Sequence, residues 1–354
     1  MNLRKFYLIL TSIMTSFLFI FGIGLLLLVN TSQAAPKDNS AKPKKNIITD
    51  IIEPFVADKN PVNILVLGGD KVAGNTDTIM LVNFTPATAQ LNILSLPRDS
   101  RVKIEGLGYT KVNAAYPKGG ADLAVQTVSN FLGVKIKYHV YVDTSAFRKV
   151  IDTLDGIDYE VPVDMNYDDP IQNLHIHFQK GLQHMDGEKA EEFMRFRHPT
   201  HYTKEIMKYY DGSDLKRIDA QQSFIKELLR QKTNIKYISK INEIIDVIFK
   251  SVETNITSTD ALKLSQNIGN LNVSAINTFK VPGRDLNVYT WYYVPDIEET
   301  KRIVEQYFYS ESGVAPTEYT NVEDAGLREM INGRPRKNPS NSGSNIKGSA
   351  TPKP

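Results

Sequence analysis

Two carboxylates and one guanidinium stand at the ends of three short apolar runs. Asp70 follows the run 62–67 (VNILVL) after two glycines, Asp77 precedes the run 78–84 (TIMLVNF), and Arg98 follows the run 90–96 (QLNILSL). Continuous apolar runs of this length read as buried strands, and Thr85, Pro86, Ala87 and Thr88 read as the turn of a hairpin joining the second and third. In an antiparallel hairpin the start of one strand and the end of its partner lie at the same sheet edge. The short segment 68–77 returns the end of the first strand to that edge. Asp70, Asp77 and Arg98 are therefore expected to converge. Such a trio suits a hard divalent cation bridged to a phosphate, with the guanidinium as the bidentate partner.

A second group lies downstream. Arg195 and Arg197 are interleaved with aromatic residues in FMRFRH, and Arg217 and Gln221, four apart, share one helix face. The chain of 354 residues has a net charge of +2, but residues 46–333 hold 31 basic and 39 acidic residues, a net charge of −8. Arginines gathered in so acidic a body point to a local polyanion site rather than to a basic surface. Their plainer use is ion pairing with Glu188, Glu191 and Glu192.

Other chemistries are weaker. There is no cysteine, which excludes a disulfide framework, thiolate metal sites and thiol catalysis. Gly68 and Gly69 belong to neither GxGxxG nor a Walker A motif. His175 and His177 alternate on a strand, with His184, His198 and His201 following; three of them could in principle hold a catalytic zinc, but the spacing fits no zinc-hydrolase motif. Near-neutral charge argues against a dedicated nucleic-acid partner.

The elements that must carry these residues are mixed. A helix over 124–133, a strand over 138–142, a helix over 147–154 ended by Gly156, strands over 157–163 and 174–178, and helices over 187–197 and 214–231 are predicted from periodicity. Beyond residue 232 come a helix containing Ile238–Ile248, a helix over 259–268, strands near 275–281 and 289–294, and a last helix over 296–309. No Gly/Pro-rich linker divides 47–310. The expected fold is α/β (α+β), a single central mixed β-sheet flanked by helices. The apolar faces of helices 124–132 and 147–154 are expected to form one wall of an apolar channel, with strands 62–67 and 78–84 as the other.

The ends of the chain differ from this body. Residues 1–5 include Arg4 and Lys5, and residues 6–29 are 24 residues without a charge, long enough at ~1.5 Å per residue to span a bilayer core of roughly 30 Å. A signal-peptide core has only ~7–15 apolar residues. A retained transmembrane helix is expected, N-terminus inside and the rest extracellular, followed by a polar linker over 30–46. Residues 311–354 form a C-terminal extension with a basic, disordered tail from about 333.

The stretch 61–232 resembles the LytR–CpsA–Psr family of envelope proteins. The resemblance rests on NILVLGGD with TDTIMLV, LSLPRDSRV, KVNAAYPKGG, YDDPIQNLHIHFQKGLQHMDGEKA, FMRFRH and RIDAQQSFI, in that order. It implies a Mg²⁺-dependent (or Mn²⁺-dependent) phosphotransferase moving an anionic glycopolymer, wall teichoic acid or capsule, from a polyprenyl-diphosphate carrier to peptidoglycan. It assigns Asp70 and Asp77 to the metal, and Arg98, Lys111, Arg195, Arg197, Arg217 and Gln221 to the diphosphate, with Asp77, Arg98 and Arg217 catalytic. A polyprenyl-diphosphate hydrolase and a non-catalytic lipid- or wall-binding regulator are the alternatives. Two departures stand out: Lys71 and Asn75 occupy positions where family members often carry arginine, and the segment 198–214 is long.

Overall fold

Three strands, β1 (Val62–Gly69), β2 (Thr76–Thr85) and β3 (Gln90–Ser95), form the antiparallel meander that sequence reading expects, with Leu65 opposite Leu81 and Leu81 opposite Leu94. A small hairpin, β4 (Arg101–Ile104) and β5 (Gly108–Lys111), follows, then α1 (Ala115–Leu132), β6 (Tyr138–Asp143) and α2 (Thr144–Thr153). Four short strands, β7 (Ile157–Val161), β8 (Met165–Asp169), β9 (Leu174–Phe178) and β10 (Gly181–Met185), precede α3 (Gly187–Arg195) and α4 (Asp214–Lys232). The C-terminal part comprises α5 (Ile241–Ser251), β11 (Glu253–Thr254), α6 (Ser258–Ser265), β12 (Asn277–Lys280), β13 (Gly283–Asn287), β14 (Trp291–Pro295) and α7 (Ile297–Tyr307).

The computed structural model describes residues 60–69, 74–170, 174–233, 241–265, 271–287 and 290–308, all within the unit Phe55–Pro354. The proposed anchor 6–29, the linker 30–46, the extension 311–354 and Asp70 lie outside the described residues. Among the described residues no helix is long and apolar enough to cross a membrane.

The central sheet has the order β11-β6-β1-β2-β3-β12 and is mixed: β6 runs parallel to β1 and β12 parallel to β3, while the other pairs are antiparallel. Alternation along a strand sends neighbouring side chains to opposite faces. One face presents Leu65, Leu67, Ile79, Leu81 and Leu94 to Ala124, Val128 and Leu132 of α1 and Val304 of α7, a core in which all nine are buried. The other presents Met80 and Ile93 to Ile225 and Leu229 of α4. A second core, with Ile157, Val161, Ile176, Phe193 and Phe224, joins β7–β10 to α3 and α4.

A polar ladder crosses the sheet on the α1 side. Asn63, Asn83, Asn92 and Asn277 stand opposite one another on four successive strands. Asn83 donates to Asn63 (2.8 Å) and Asn277 to Asn92 (2.8 Å), while Asn63 and Asn92 donate to the carbonyls of Phe308 (3.2 Å) and Tyr307 (3.0 Å). The ladder thereby satisfies carbonyls that the C-terminus of α7 leaves open.

The expected strands at 62–67, 78–84 and 90–96 and the helix at 214–231 are present with shifts of a few residues. The helix expected at 124–133 begins earlier, at Ala115, with a break at Gly119 and Gly120, and ends at Gly133, whose φ of 66° suits a residue without Cβ. Its role in the channel is corrected: α1 packs on the face away from α2, so Ala124, Val128 and Leu132 seal a solid core. The periodicity that marks an apolar face does not say which side of the sheet receives it.

Candidate functional site

A cavity of about 530 Å³ opens between the second face of the central sheet and the β8–β9 and helical layer. Its apolar wall comes from Val66 of β1, Met80 of β2, Phe147 of α2, Met194 of α3 and Ile225 of α4, with Tyr167 and Leu174 from the β8–β9 ribbon. Its polar wall includes Asp77, Arg98, Asp143, Glu191, Arg195, Arg197, His198, Arg217 and Gln221. Each polar residue is placed by a local feature of the chain.

Asp77 is the second residue of β2, and Arg98 lies three residues beyond the end of β3. Met80 pairs with Ser95, so the register brings the two ends together, and the Arg98 guanidinium forms an ion pair with Asp77. The rim is tight. A Cβ on Gly69 would meet the Asn75 carbonyl at 2.6 Å, and one on Gly68 would meet Thr78 Cβ at 3.1 Å, so the GG step lets β1 and β2 stay paired up to the site.

Arg217 and Gln221 project from the first turns of α4, capped by Ser213, whose hydroxyl accepts from Lys216 N–H at 3.3 Å. Arg217 is almost fully buried; it forms an ion pair with Asp214 and donates to the Asp77 carbonyl at 2.9 Å. Gln221 donates to the Met194 carbonyl at 3.2 Å, tying α4 to the end of α3. Asp214 also accepts from the Arg98 N–H at 3.3 Å. Burial pulls the Arg217 guanidinium below its ordinary pKa despite Asp214, with Arg98 and Arg197 repelling it as well. For Arg98, burial is outweighed by Asp77, Asp214 and Asp99, and the net direction is upward. Both remain cationic at any physiological pH.

Arg195 closes α3 and donates to Glu191 at 3.0 Å, one turn earlier; Glu191 is buried and holds Arg148 as well. The ion pairing anticipated for this segment thus exists for Arg195. Glu191 is, beside Asp143, a buried carboxylate of the cavity wall, and the sequence offers it only as a surface partner. Its four-residue spacing to Arg195 was the available signal.

The decisive feature is what the guanidinium groups lack. The Nε atoms of Arg98, Arg197 and Arg217 are buried and have no hydrogen-bond acceptor among the described residues. Buried polar hydrogens are ordinarily paired, and each unpaired one calls for a missing partner. The side chains that carry these donors line a partly apolar cavity, and three guanidinium groups there fit an anion carrying several acceptor oxygens, with the apolar wall beside it for an attached hydrocarbon.

Lys111 stands apart. It does not line the cavity but pairs with Asp99 at 2.7 Å, and Asp99 lies 3.9 Å from Arg98 Nε. The structure therefore brings Asp77, Arg98, Arg195, Arg197, Arg217 and Gln221 to one cavity and leaves Lys111 behind Asp99. Asp77 is half-exposed and its carboxylate is a hard oxygen donor. A single carboxylate completed by ligand phosphates is a usual Mg²⁺ environment, so this residue fits the implied metal. Among the described residues no three His, Asp or Glu side chains form a metal cage. His175 and His177 pair with Asp168 (2.7 and 3.2 Å) on the exposed face of the β8–β9 ribbon, and His184 pairs with Asp158 (2.7 Å) on another; of the five histidines weighed for zinc, only His198 reaches the cavity.

Residues 25–308 match the LytR_cpsA_psr family. The chain is similar to the polyisoprenyl-teichoic acid–peptidoglycan teichoic acid transferase TagV of Bacillus subtilis (strain 168), 32% identical over 301 residues that cover 81% of this chain and 74% of that protein. The crystal structure of B. subtilis TagV superposes with a TM-score of 0.60, covering 70% of this chain and 97% of that one. A structure of TagT bound to LIIa-WTA, 24% identical with a TM-score of 0.56 over 76% of this chain and 95% of that one, shares the fold.

Proposed function

The chain belongs to the LytR–CpsA–Psr family, and from that premise we propose that it is a glycopolymer transferase, moving an anionic wall polymer from a polyprenyl-diphosphate carrier to a peptidoglycan hydroxyl. The carrying observation is the set of three arginines on a cavity whose other wall is apolar, each with a buried guanidinium Nε–H that has no acceptor among the described residues. The transferase names of the relatives, which act on teichoic acid and peptidoglycan, support the same reading.

In this reading the diphosphate lies against Arg98, Arg197 and Arg217, and the first part of the prenyl chain lies along Val66, Met80, Phe147 and Ile225. The acceptor hydroxyl attacks the phosphorus nearer the glycan. A new P–O bond forms to the acceptor, the bridging P–O bond breaks, and polyprenyl phosphate leaves with the electron pair. The guanidinium groups neutralise the charge that builds on that leaving group, which is where phosphoryl-transfer catalysis is concentrated. Ligand binding draws Arg98 toward the phosphate and frees the half-exposed Asp77 carboxylate, which accepts the acceptor's proton. Arg195 is held by Glu191 and supplies charge from the side. Gln221 fixes α4 against α3, and Lys111 holds Asp99 beside Arg98. Mg²⁺, held by Asp77 with Asp70, would supply further charge neutralisation at the phosphate oxygens. The chargeless segment 6–29 is assigned as a membrane anchor that leaves the catalytic body extracellular.

The test is a transfer assay. Full-length protein in detergent or nanodiscs is given glycan-labelled lipid diphosphate with Mg²⁺, with and without peptidoglycan oligomers. Label appearing on peptidoglycan, with release of polyprenyl phosphate, is expected. Label released equally as free glycan phosphate in both arms would establish the hydrolase instead, and no turnover with intact binding would establish the regulator.

A further inference from the structure

Large apolar side chains exposed singly are ordinary on a protein surface, whereas a cluster of them marks a contact site. Here Tyr202, Met207 and Tyr209 are 51%, 52% and 43% exposed, three outward apolar side chains within eight residues. The others, such as Leu107, Leu262 and Trp291, are scattered through the chain. The segment follows directly on Arg197 and His198 of the cavity wall.

This segment is built rather than loose. Ile206 and Tyr210 are buried in the second core, and Tyr210 meets Phe196 edge-on at 4.7 Å. A 3₁₀ turn over Ile206–Lys208, with Met207 N–H donating to the Thr203 carbonyl (3.1 Å) and Tyr210 N–H to the Ile206 carbonyl (2.7 Å), satisfies its backbone. The segment is thus pinned by two inward side chains and turns Tyr202, Met207 and Tyr209 to the outside. Its charges are biased too. Glu205 is matched by Lys180 at 3.0 Å, and Asp211 accepts from the Ser213 N–H at 2.9 Å, whereas Lys204 and Lys208 are exposed and make no ion pair among the described residues.

We propose that residues 202–209 are a docking surface for an anionic lipid bilayer at the mouth of the cavity. Tyrosine is enriched at membrane–water interfaces and lysine is drawn to anionic headgroups. Lysine is depleted at protein–protein interfaces, which favours lipid over a protein partner. The cavity also calls for a lipid neighbour: about 530 Å³ is the size that encloses a drug-sized ligand, so a long prenyl chain has to continue into lipid. This inference rests on the carrier-lipid reading of the cavity and adds to it the surface that delivers the carrier.

The absence of cysteine permits single-site labelling of the full chain. Met207→Cys and, as a control, Leu262→Cys are labelled with an environment-sensitive fluorophore in nanodiscs containing anionic lipid and headgroup-region nitroxide lipid. Blue-shifted emission and nitroxide quenching at 207, absent at 262, are expected. Adding Lys204→Gln and Lys208→Gln should lower the docked-to-undocked ratio about fivefold per lysine. Aqueous, unquenched emission at 207 would overturn the proposal, and a label already buried in detergent before lipid is added would assign the patch to a protein contact instead. The readout needs no turnover. Docking without transfer would sink the transferase reading alone, and transfer without docking would sink this one alone.

Discussion

Replacing Arg217 by methionine should separate stability from activity. The side chain is 5% exposed, and burial together with Arg98 and Arg197 disfavours its charge, against which stand Asp214 and one hydrogen bond to the Asp77 carbonyl. Methionine fills similar space without the desolvated cation. What it abandons is limited: Asp214 retains the Arg98 N–H and sits in the first turn of α4, where negative charge is favoured, and the Asp77 carbonyl belongs to a half-exposed residue. Asp214, 14% exposed, would keep its charge without this partner, and removing one partner of a fully buried pair typically costs about 3–5 kcal/mol. The contacts Asp214 retains and its partial exposure reduce this, so the expected loss is about 1–3 kcal/mol, a Tm lowered by several degrees with the fold intact. Turnover should fall by about 10²–10³, the usual cost of one donor at a charge-developing oxygen. Denaturant titration by circular dichroism reads the first quantity and the transfer assay the second. A folded Arg217→Met protein with turnover within threefold of the parent would refute the assignment. An unfolded one would refute the electrostatic reasoning.

Arg98→Ala and Arg197→Ala should each lose about 10²–10³ in turnover, whereas His175→Ala, on the outer face of its ribbon, should be active within about twofold under a measurement error typical of surface changes. Asn83→Val removes the middle of the asparagine ladder and leaves the Asn63 Oδ1 without its donor, so stability by urea titration should drop by about 1–3 kcal/mol with kcat unchanged. Burial, then Asp214, Asp99 and Asp211, holds the Asp285 carboxyl above its ordinary range. A raised carboxyl costs nothing in acid, where it is protonated in both states, and costs most once pH exceeds its folded pKa. Asp285→Asn should therefore raise Tm at neutral pH, and the gain should vanish on acidification.

The meeting of Asp77 and Arg98 was legible because three strands and one turn of obvious type fix a hairpin register, and register alone carries strand ends to one edge. Arg217 and Gln221 were legible because helical periodicity is local. The wall of the cavity was not. Val128 and Ile225 both lie on apolar helix faces, yet α1 packs over Leu65 and Leu67 while α4 packs over Met80, and the choice of side depends on connections that no local pattern encodes. The β4–β5 hairpin was missed because RVKI and GYTK are four residues each, too short for a strand pattern and half polar. The β8 strand, MNYDD, turns its polar residues outward and so reads as a loop. The asparagines of the ladder sit in strands that disfavour asparagine by propensity; Asn63 and Asn92 find their partners in the Phe308 and Tyr307 carbonyls, more than two hundred residues away. Lys111 entered through family resemblance alone, and its place behind Asp99 rather than on the cavity is a tertiary fact.

The central claim is that three orphaned guanidinium donors hold the diphosphate of a prenyl carrier. A crystal structure of the protein with geranyl diphosphate and Mg²⁺ tests it most directly. The account predicts phosphate oxygens within about 2.7–3.2 Å of Nε of Arg98, Arg197 and Arg217, with the prenyl chain along Val66, Met80, Phe147 and Ile225. A diphosphate bound elsewhere, or one bound here with those three Nε atoms still unpaired, would contradict it.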